Sequence, residues 1–170
     1  MIDKNFKGEF ALYDKGALTG YAAVTKVGGV RIVATMKPIL ISMIEAAKTD
    51  SVNLTLAAGL RTFGEQYALR KQNVIDKSKV SDEEYLLTQP SGLFKPATGK
   101  PGFSNHQDGK AYDFNVTGKP EVYKWLVLNA LRFGFIRTVL TERWHWEYMP
   151  GVRDQFAYVK KSDPTWDGLV

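Results

Sequence analysis

The chain has 170 residues, 44% of them hydrophobic, which is one domain's worth of sequence with enough apolar content to bury a core unaided. It contains no cysteine and only two histidines, His106 and His145, which excludes disulfides, thiolate metal sites, iron–sulfur clusters, cysteine nucleophiles and any three-histidine centre. Its 23 Lys and Arg against 18 Asp and Glu give a scattered net charge of +5, read either as a solvated surface or as weak attraction to an anionic polymer, and without an arginine-rich stripe nucleic acid is not an expected partner.

Residues 1–29 carry Gly8, Gly16, Gly20 and Gly28-Gly29 and read as a loosely structured extension. Their charged start lacks the apolar run of a cleaved leader, so the protein is expected either to stay inside or to leave by a route that needs no such leader. Val30 to Val33 reads as a short strand. Thr35 as N-cap and Pro38 in the first turn then open a helix to about Lys48, with Ile39, Leu40, Met43, Ile44 and Ala47 at helical spacing. Val52, Leu54 and Leu56 alternate with Asn53, Thr55 and Ala57 and predict a strand over 52–57. Thr62-x-x-Glu65 is a capping box that opens a helix through Gln72, and Ser81-x-x-Glu84 opens a shorter one.

A Pro/Gly-rich loop follows over 88–103, of a length that in a small domain is usually either functional or disordered. A strand over 111–116, a helix over 120–133 stopped by Gly134, and a strand over 144–148 complete the pattern. No stretch is long and apolar enough for a membrane span. Strands and helices mixed without a βαβ repeat predict an α+β fold: a small, mainly antiparallel sheet with flanking helices. A single domain is expected, with a core over about 30–150, a tail over 151–170, and no feature that calls for more than a monomer.

The two histidines lie in informative surroundings. Side chains alternate across a strand, so Tyr112, Phe114 and Val116 share one face while Asp113 takes the other. In the last strand Trp144, Trp146 and Tyr148 share a face, leaving His145 and Glu147 opposite. If the two strands are neighbours, Asp113 and His145 project from the same open face, and His106 at the end of the long loop closes a third vertex. Two imidazoles and one carboxylate with a free fourth position is the arrangement of catalytic zinc, which draws the pKa of bound water toward about 7. The attacking water needs a base, and Glu142 stands three residues before His145. Strand parity would turn it away, so Glu142 is expected in the turn ahead of the strand. Either histidine alone would more often be an ordinary hydrogen-bonded residue. Trp144 and Trp146 are expected in the core, and Glu147 as an ion-pair or supporting partner of the ligands.

The run Ser104-x-His106-x-x-Gly109-x-Ala111-x-Asp113 with Glu142-x-x-His145-Trp146, preceded by Gly59-x-Arg61-Thr62-x-x-Glu65-Gln66, resembles the zinc D,D-peptidases of bacterial cell-wall metabolism. These comprise D-alanyl-D-alanine carboxypeptidases, vancomycin-resistance peptidases and phage L-alanyl-D-glutamate endolysins. The resemblance spans about residues 30–150 and implies a Hedgehog/D,D-peptidase-like fold. It implies one Zn²⁺ on His106, Asp113 and His145, with Glu142 as general base and then proton donor. It further implies that Arg61 stabilises the oxyanion and that Arg61, Gln66 and Ser104 bind the substrate, a peptidoglycan stem peptide or muropeptide.

The Trp-His-Trp context is closer to the D-alanyl-D-alanine carboxypeptidases, with the endolysin-type L-alanyl-D-glutamate endopeptidase as the alternative. Non-haem iron oxygenases also use two histidines and a carboxylate, but they have no use for a base at Glu142. A zinc-bearing binding module without catalysis, as in Hedgehog-type domains, would not need every catalytic position filled.

Overall fold

The structure is a computed structural model that describes residues 9–80, 91–95, 98–155 and 158. Among the described residues, seven strands form two antiparallel sheets. The first contains β1 (Glu9–Asp14), β2 (Ala17–Val27) and β3 (Val30–Val33) in that order. The second contains β4 (Leu56–Ala58), β5 (Ala111–Phe114), β6 (Phe135–Ile136) and β7 (His145–Tyr148), in the order β4-β5-β7-β6. Three α-helices are described: α1 (Lys37–Thr49), α2 (Phe63–Gln72) and α3 (Pro120–Asn129). The expected α+β architecture holds. No helix among the described residues is long and apolar enough to cross a membrane.

The N-terminal region corrects its sequence reading. It is not loose: β1 and β2 form a hairpin from Glu9 onward, and β3 extends it. Gly16, Gly28 and Gly29 are turn residues, Gly20 is within β2 opposite Leu12, and Gly8 lies outside the described residues. Lys15 and Gly16 have φ of 50° and 84°, and Gly28 and Gly29 have 56° and 85°. Positive φ at both central residues is what a tight two-residue hairpin turn needs to match the strand twist. Leu12 and Phe10 on β1, with Ala22 and Val24 on β2, pack against the main core.

Two further boundaries differ. Thr35 is not the cap of α1; it lies in a 3₁₀ turn over Ala34–Met36, and the helix starts after Met36 without a side-chain cap. The chain turns helically as soon as it leaves β3 because Met36 is buried there, while Pro38 still falls in the first turn as expected. Residues 52–55 are not strand, although Leu54 and Leu56 are buried as their alternation requires. Asn115 takes much of their backbone instead: its Oδ1 accepts from Thr55 N at 2.7 Å, its Nδ2 donates to Asn53 O at 3.0 Å and its N donates to Thr55 O at 3.1 Å.

The capping box at Thr62 and Glu65 forms in both directions, and α2 ends at Gln72 as predicted. Beyond α3 the chain tightens into a 3₁₀ turn over Ala130–Phe133, stopped by Gly134 at φ 80°. The helix expected from Ser81 lies outside the described residues, as does part of the 88–103 loop. Within that loop Ser91–Leu93 forms a 3₁₀ turn and Phe94 bridges Val74.

One buried cluster joins the elements. Leu40 and Met43 of α1, Val122 and Leu126 of α3, and Tyr112, Phe114, Phe135 and Trp146 of the second sheet belong to it. Burying a side chain of this size stabilises by roughly 1.5–3 kcal/mol each. The sheet thus spends one face on the core and leaves the other, with Asp113, His145 and Glu147, to form the floor of a cleft.

Candidate active site

β5 and β7 are adjacent and antiparallel, and Asp113 is directly paired with His145. The pairing puts both side chains on the face opposite Tyr112 and Trp146, as strand parity predicts. His106 arrives from the loop before β5. That loop is tied down where Arg61 N donates to His106 O at 3.0 Å and Gln107 N donates to Ser104 O at 2.8 Å.

The three donor atoms converge. Asp113 Oδ1 lies 3.3 Å from His106 Nε2 and 3.2 Å from His145 Nδ1, and all three ligand atoms fall within 4.8 Å of one another. Ligands about 2.0–2.1 Å from a tetrahedral ion sit roughly 3.3–3.4 Å apart, so the cradle fits such an ion. The far side of each ring is held as a metal-bound imidazole requires. His106 Nδ1 is 3.0 Å from Gly59 O, a carbonyl that can only accept, which leaves the Nε2 lone pair to face the cradle. His145 Nε2 is 3.0 Å from Glu147 Oε1, so its Nδ1 lone pair faces the cradle in turn. Partners of this type fix ring orientation and raise ligand basicity.

Glu147 is itself positioned, accepting from Asn105 Nδ2 at 2.8 Å and from Thr138 Oγ1 at 2.5 Å. Its supporting role was expected; Asn105, Thr138 and the Gly59 carbonyl were not. Asn105, beside His106, was the nearest of these to a readable signal.

The electrostatics suit a cation. Burial raises the cost of charge on Asp113, but the His106 and His145 rings outweigh it and hold its carboxyl far below the usual range. Burial likewise opposes a charged ring at His145, yet Asp113 and Glu147 hold its pKa up to about 9.

A cleft of about 680 Å³ opens above this floor, and Arg61, Glu142, Ser104, Trp144 and Phe103 are on its walls. Glu142 lies ahead of β7, in the turn where His145 N donates to Glu142 O at 3.1 Å. The turn ahead of the strand is where its sequence position was expected to put it. Burial pushes the Arg61 guanidinium down, against the opposing pull of the Asp113, Glu65 and Glu142 carboxylates.

Gln66, expected to contact substrate, is fully buried and is not among the residues that line the cleft. Its Oε1 accepts from Arg61 Nη1 at 2.7 Å and its Nε2 donates to Gly99 O at 2.7 Å. Both ends of the amide are engaged in fixing Arg61 to the loop. Trp146 is fully buried as expected, whereas Trp144 is not core: it is 38% exposed at the cleft, because it precedes the strand and escapes its parity.

Known proteins place the chain in context. It is 33% identical over 135 residues to a D-alanyl-D-alanine carboxypeptidase of Enterococcus faecalis (strain ATCC 700802 / V583), covering 71% of this chain and 49% of that protein, so it spans about half the length of this curated relative. Among solved structures it is similar to VanYB in complex with D-alanine-D-alanine, with TM-score 0.64 and 27% identity over 90% of this chain and 91% of the other. It is also similar to a Zn(II)-bound mutant of the vancomycin-resistance D,D-pentapeptidase VanY from a VanB-type cassette, with TM-score 0.61 and 28% identity over 81% and 85% of the two chains. An LD-carboxypeptidase, LdcB, shares the fold at TM-score 0.54 and 24% identity, covering 82% of this chain and 68% of that one. Residues 30–151, which carry every residue of the cradle and of the cleft walls named above, match the VanY family, described as D-alanyl-D-alanine carboxypeptidase, and the chain belongs to that family.

Proposed function

We propose that this protein is a zinc-dependent peptidase that removes the terminal D-alanine from peptidoglycan stem peptides ending in D-alanyl-D-alanine. The observation that carries the reading is the convergence of His106 Nε2, Asp113 Oδ1 and His145 Nδ1 at the foot of a cleft whose walls hold Glu142 and Arg61. The named activities of the relatives, a D-alanyl-D-alanine carboxypeptidase and a VanY D,D-pentapeptidase bound to Zn(II), support it.

His106, Asp113 and His145 would hold Zn²⁺, which when bound polarises the scissile carbonyl and acidifies a water molecule. Glu142 takes the proton from the attacking water and delivers it to the departing amine of D-alanine. Proton transfer by a positioned carboxylate contributes about 10²–10⁴ in rate. Arg61 faces the negative charge that develops on the carbonyl oxygen, and its burial makes that interaction stronger than it would be in water. Ser104 offers its hydroxyl to the bound peptide, and Gln66 acts through Arg61 by fixing the direction of the guanidinium. Closing the face of the sheet with Tyr112 and Trp146 keeps the floor rigid, so the ligands need not reorganise during the reaction.

Digestion of defined pentapeptide muropeptides, followed by mass spectrometry, tests the reading. The expected product is the tetrapeptide plus free D-alanine, formed with zinc and abolished by a chelator. Cleavage between L-alanine and D-glutamate would assign the endopeptidase activity instead, and intact stems with zinc bound would overturn both.

A further inference from the structure

The family match begins at residue 30, yet the hairpin that precedes it grips the loop leading into His106. Tyr13 N donates to Gln107 O at 2.9 Å, and Gly16 N donates to Gly102 O at 2.8 Å. The buried Gln107 closes the same loop on itself, its Oε1 accepting from Gly102 N at 2.7 Å. The Tyr13 ring also meets Phe63 at the start of α2, at 5.2 Å between centroids. One hairpin therefore touches both the loop of His106 and the helix that follows Arg61.

The closest approach is at the turn. A Cβ on Gly16 would lie 2.8 Å from Cε2 and Cζ of Phe103, nearer than real Cβ contacts come, and a Cβ on Gly102 would lie 3.0 Å from Gly16 Cα. The Cε2–Cζ edge of the Phe103 ring thus rests against Gly16, whose φ of 84° disfavours any side chain there. The Lys100 ammonium lies 4.7 Å from the ring centroid. Phe103 nevertheless remains 49% exposed, and it lines the cleft one residue before Ser104. A large apolar ring held open to solvent by a glycine turn is difficult to account for as core packing, since it leaves half its surface in water. It is well placed as a wall for something that enters the cleft.

We infer that Phe103, seated on the Gly16 turn of the N-terminal hairpin, is a specificity-determining residue that holds the aliphatic part of the peptide substrate, with Gly16 as its positioning residue. The inference rests on the proposed peptidase reading and adds to it a segment outside the family match. The chemistry is that of an aromatic face against methylene groups, which favours a longer stem peptide over a bare dipeptide.

A double-mutant cycle on Gly16→Ala and Phe103→Ala tests it, with D-alanine release from a pentapeptide muropeptide as the assay. Phe103→Ala is expected to raise KM about tenfold, with kcat and zinc content unchanged, and Phe103→Tyr to restore KM. Gly16→Ala is expected to raise KM in the same way, and to add less than about twofold once Phe103 is already Ala, because coupled neighbours are not additive. An unchanged KM in Phe103→Ala, or a Gly16→Ala effect that persists in full in its absence, overturns the inference. The same cycle is read as Kd for the muropeptide on zinc-loaded Glu142→Gln protein. Should wild type cleave nothing, the peptidase reading fails, while the Kd cycle still decides whether Phe103 and Gly16 form the wall. If Gly16→Ala does not fold, the comparison of Phe103→Ala with Phe103→Tyr decides it alone.

Discussion

Asp113 and His145 are a cross-strand pair, joined by the β5–β7 ladder and separated by 3.2 Å at their donor atoms. Two of the three candidate metal donors are therefore positioned by backbone hydrogen bonds of a sheet whose opposite face is buried. A register slip of one residue would turn both away together, and the burial of Tyr112 and Trp146 opposes any such slip. The third donor, His106, depends on a loop, and its direction rests on single contacts such as that to Gly59 O.

Glu147 gives the first prediction. It sits behind His145 Nε2 and is held by Asn105 and Thr138. Glu147→Gln keeps the shape but removes the charge that favours the proton on Nε2, and zinc affinity is expected to fall about 10–100-fold. Competition with a chromogenic chelator measures it, and unchanged affinity would show that His145 is oriented by its ladder alone.

Glu142 lies on the cleft wall but is not one of the converging donors. Glu142→Gln is therefore expected to bind one zinc as tightly as wild type and to lose about 10²–10⁴ in kcat. Metal analysis of the dialysed protein together with D-alanine release tests both halves. Loss of the metal would mean that Glu142 supports the ligands rather than the proton transfer.

Much of this site is legible in the sequence because period-2 alternation is a local rule. Tyr112 and Phe114 against Asp113, and Trp146 against His145 and Glu147, state which side chains share a face before any contact is known. The capping box at Thr62 and Glu65 is equally local. The misreadings come from residues whose partners are distant in sequence. Asn115 replaces the ladder for residues 53 and 55, so the alternation of Leu54 and Leu56 survives without the strand. Gly16 and Gly28-Gly29 look like breakers until the strands on each side are seen to pair. Gln66 follows Arg61 by five residues as the resemblance asks, but only the fold shows that Gly99 occupies the other end of its amide.

That bracket on Arg61 leads to the third prediction. Arg61→Lys keeps a positive charge but loses the fork that Gln66 orients, and kcat is expected to fall about 10²–10³-fold with zinc retained. Gln66→Leu preserves volume and leaves Arg61 charged but unaimed; it should lower kcat by a smaller factor and leave KM nearly unchanged. Steady-state kinetics separates the two cases, because direct substrate binding by Gln66 would instead raise KM.

Acid sensitivity offers the last prediction. Arg31 Nη1 reaches Glu65 at 3.1 and 2.9 Å and Nη2 adds a contact at 3.2 Å, tying β3 to the first turn of α2 beside Arg61. Burial acts to raise the Glu65 carboxyl, but hydrogen bonds from Arg31 and Thr62 N outweigh it, so the group lies below its usual value of 4.5. A carboxyl lowered on folding stabilises the fold above its unfolded pKa and loses that contribution as pH falls through the folded one. Glu65→Gln preserves the capping geometry and removes the charge. At neutral pH it is expected to cost about 0.5 kcal/mol, since both partners are partly exposed, and the gap to wild type should close as pH falls below about 4. Urea unfolding of both proteins across that range measures the gap. A difference that stays constant down to low pH would show that the Arg31 contact contributes packing rather than charge.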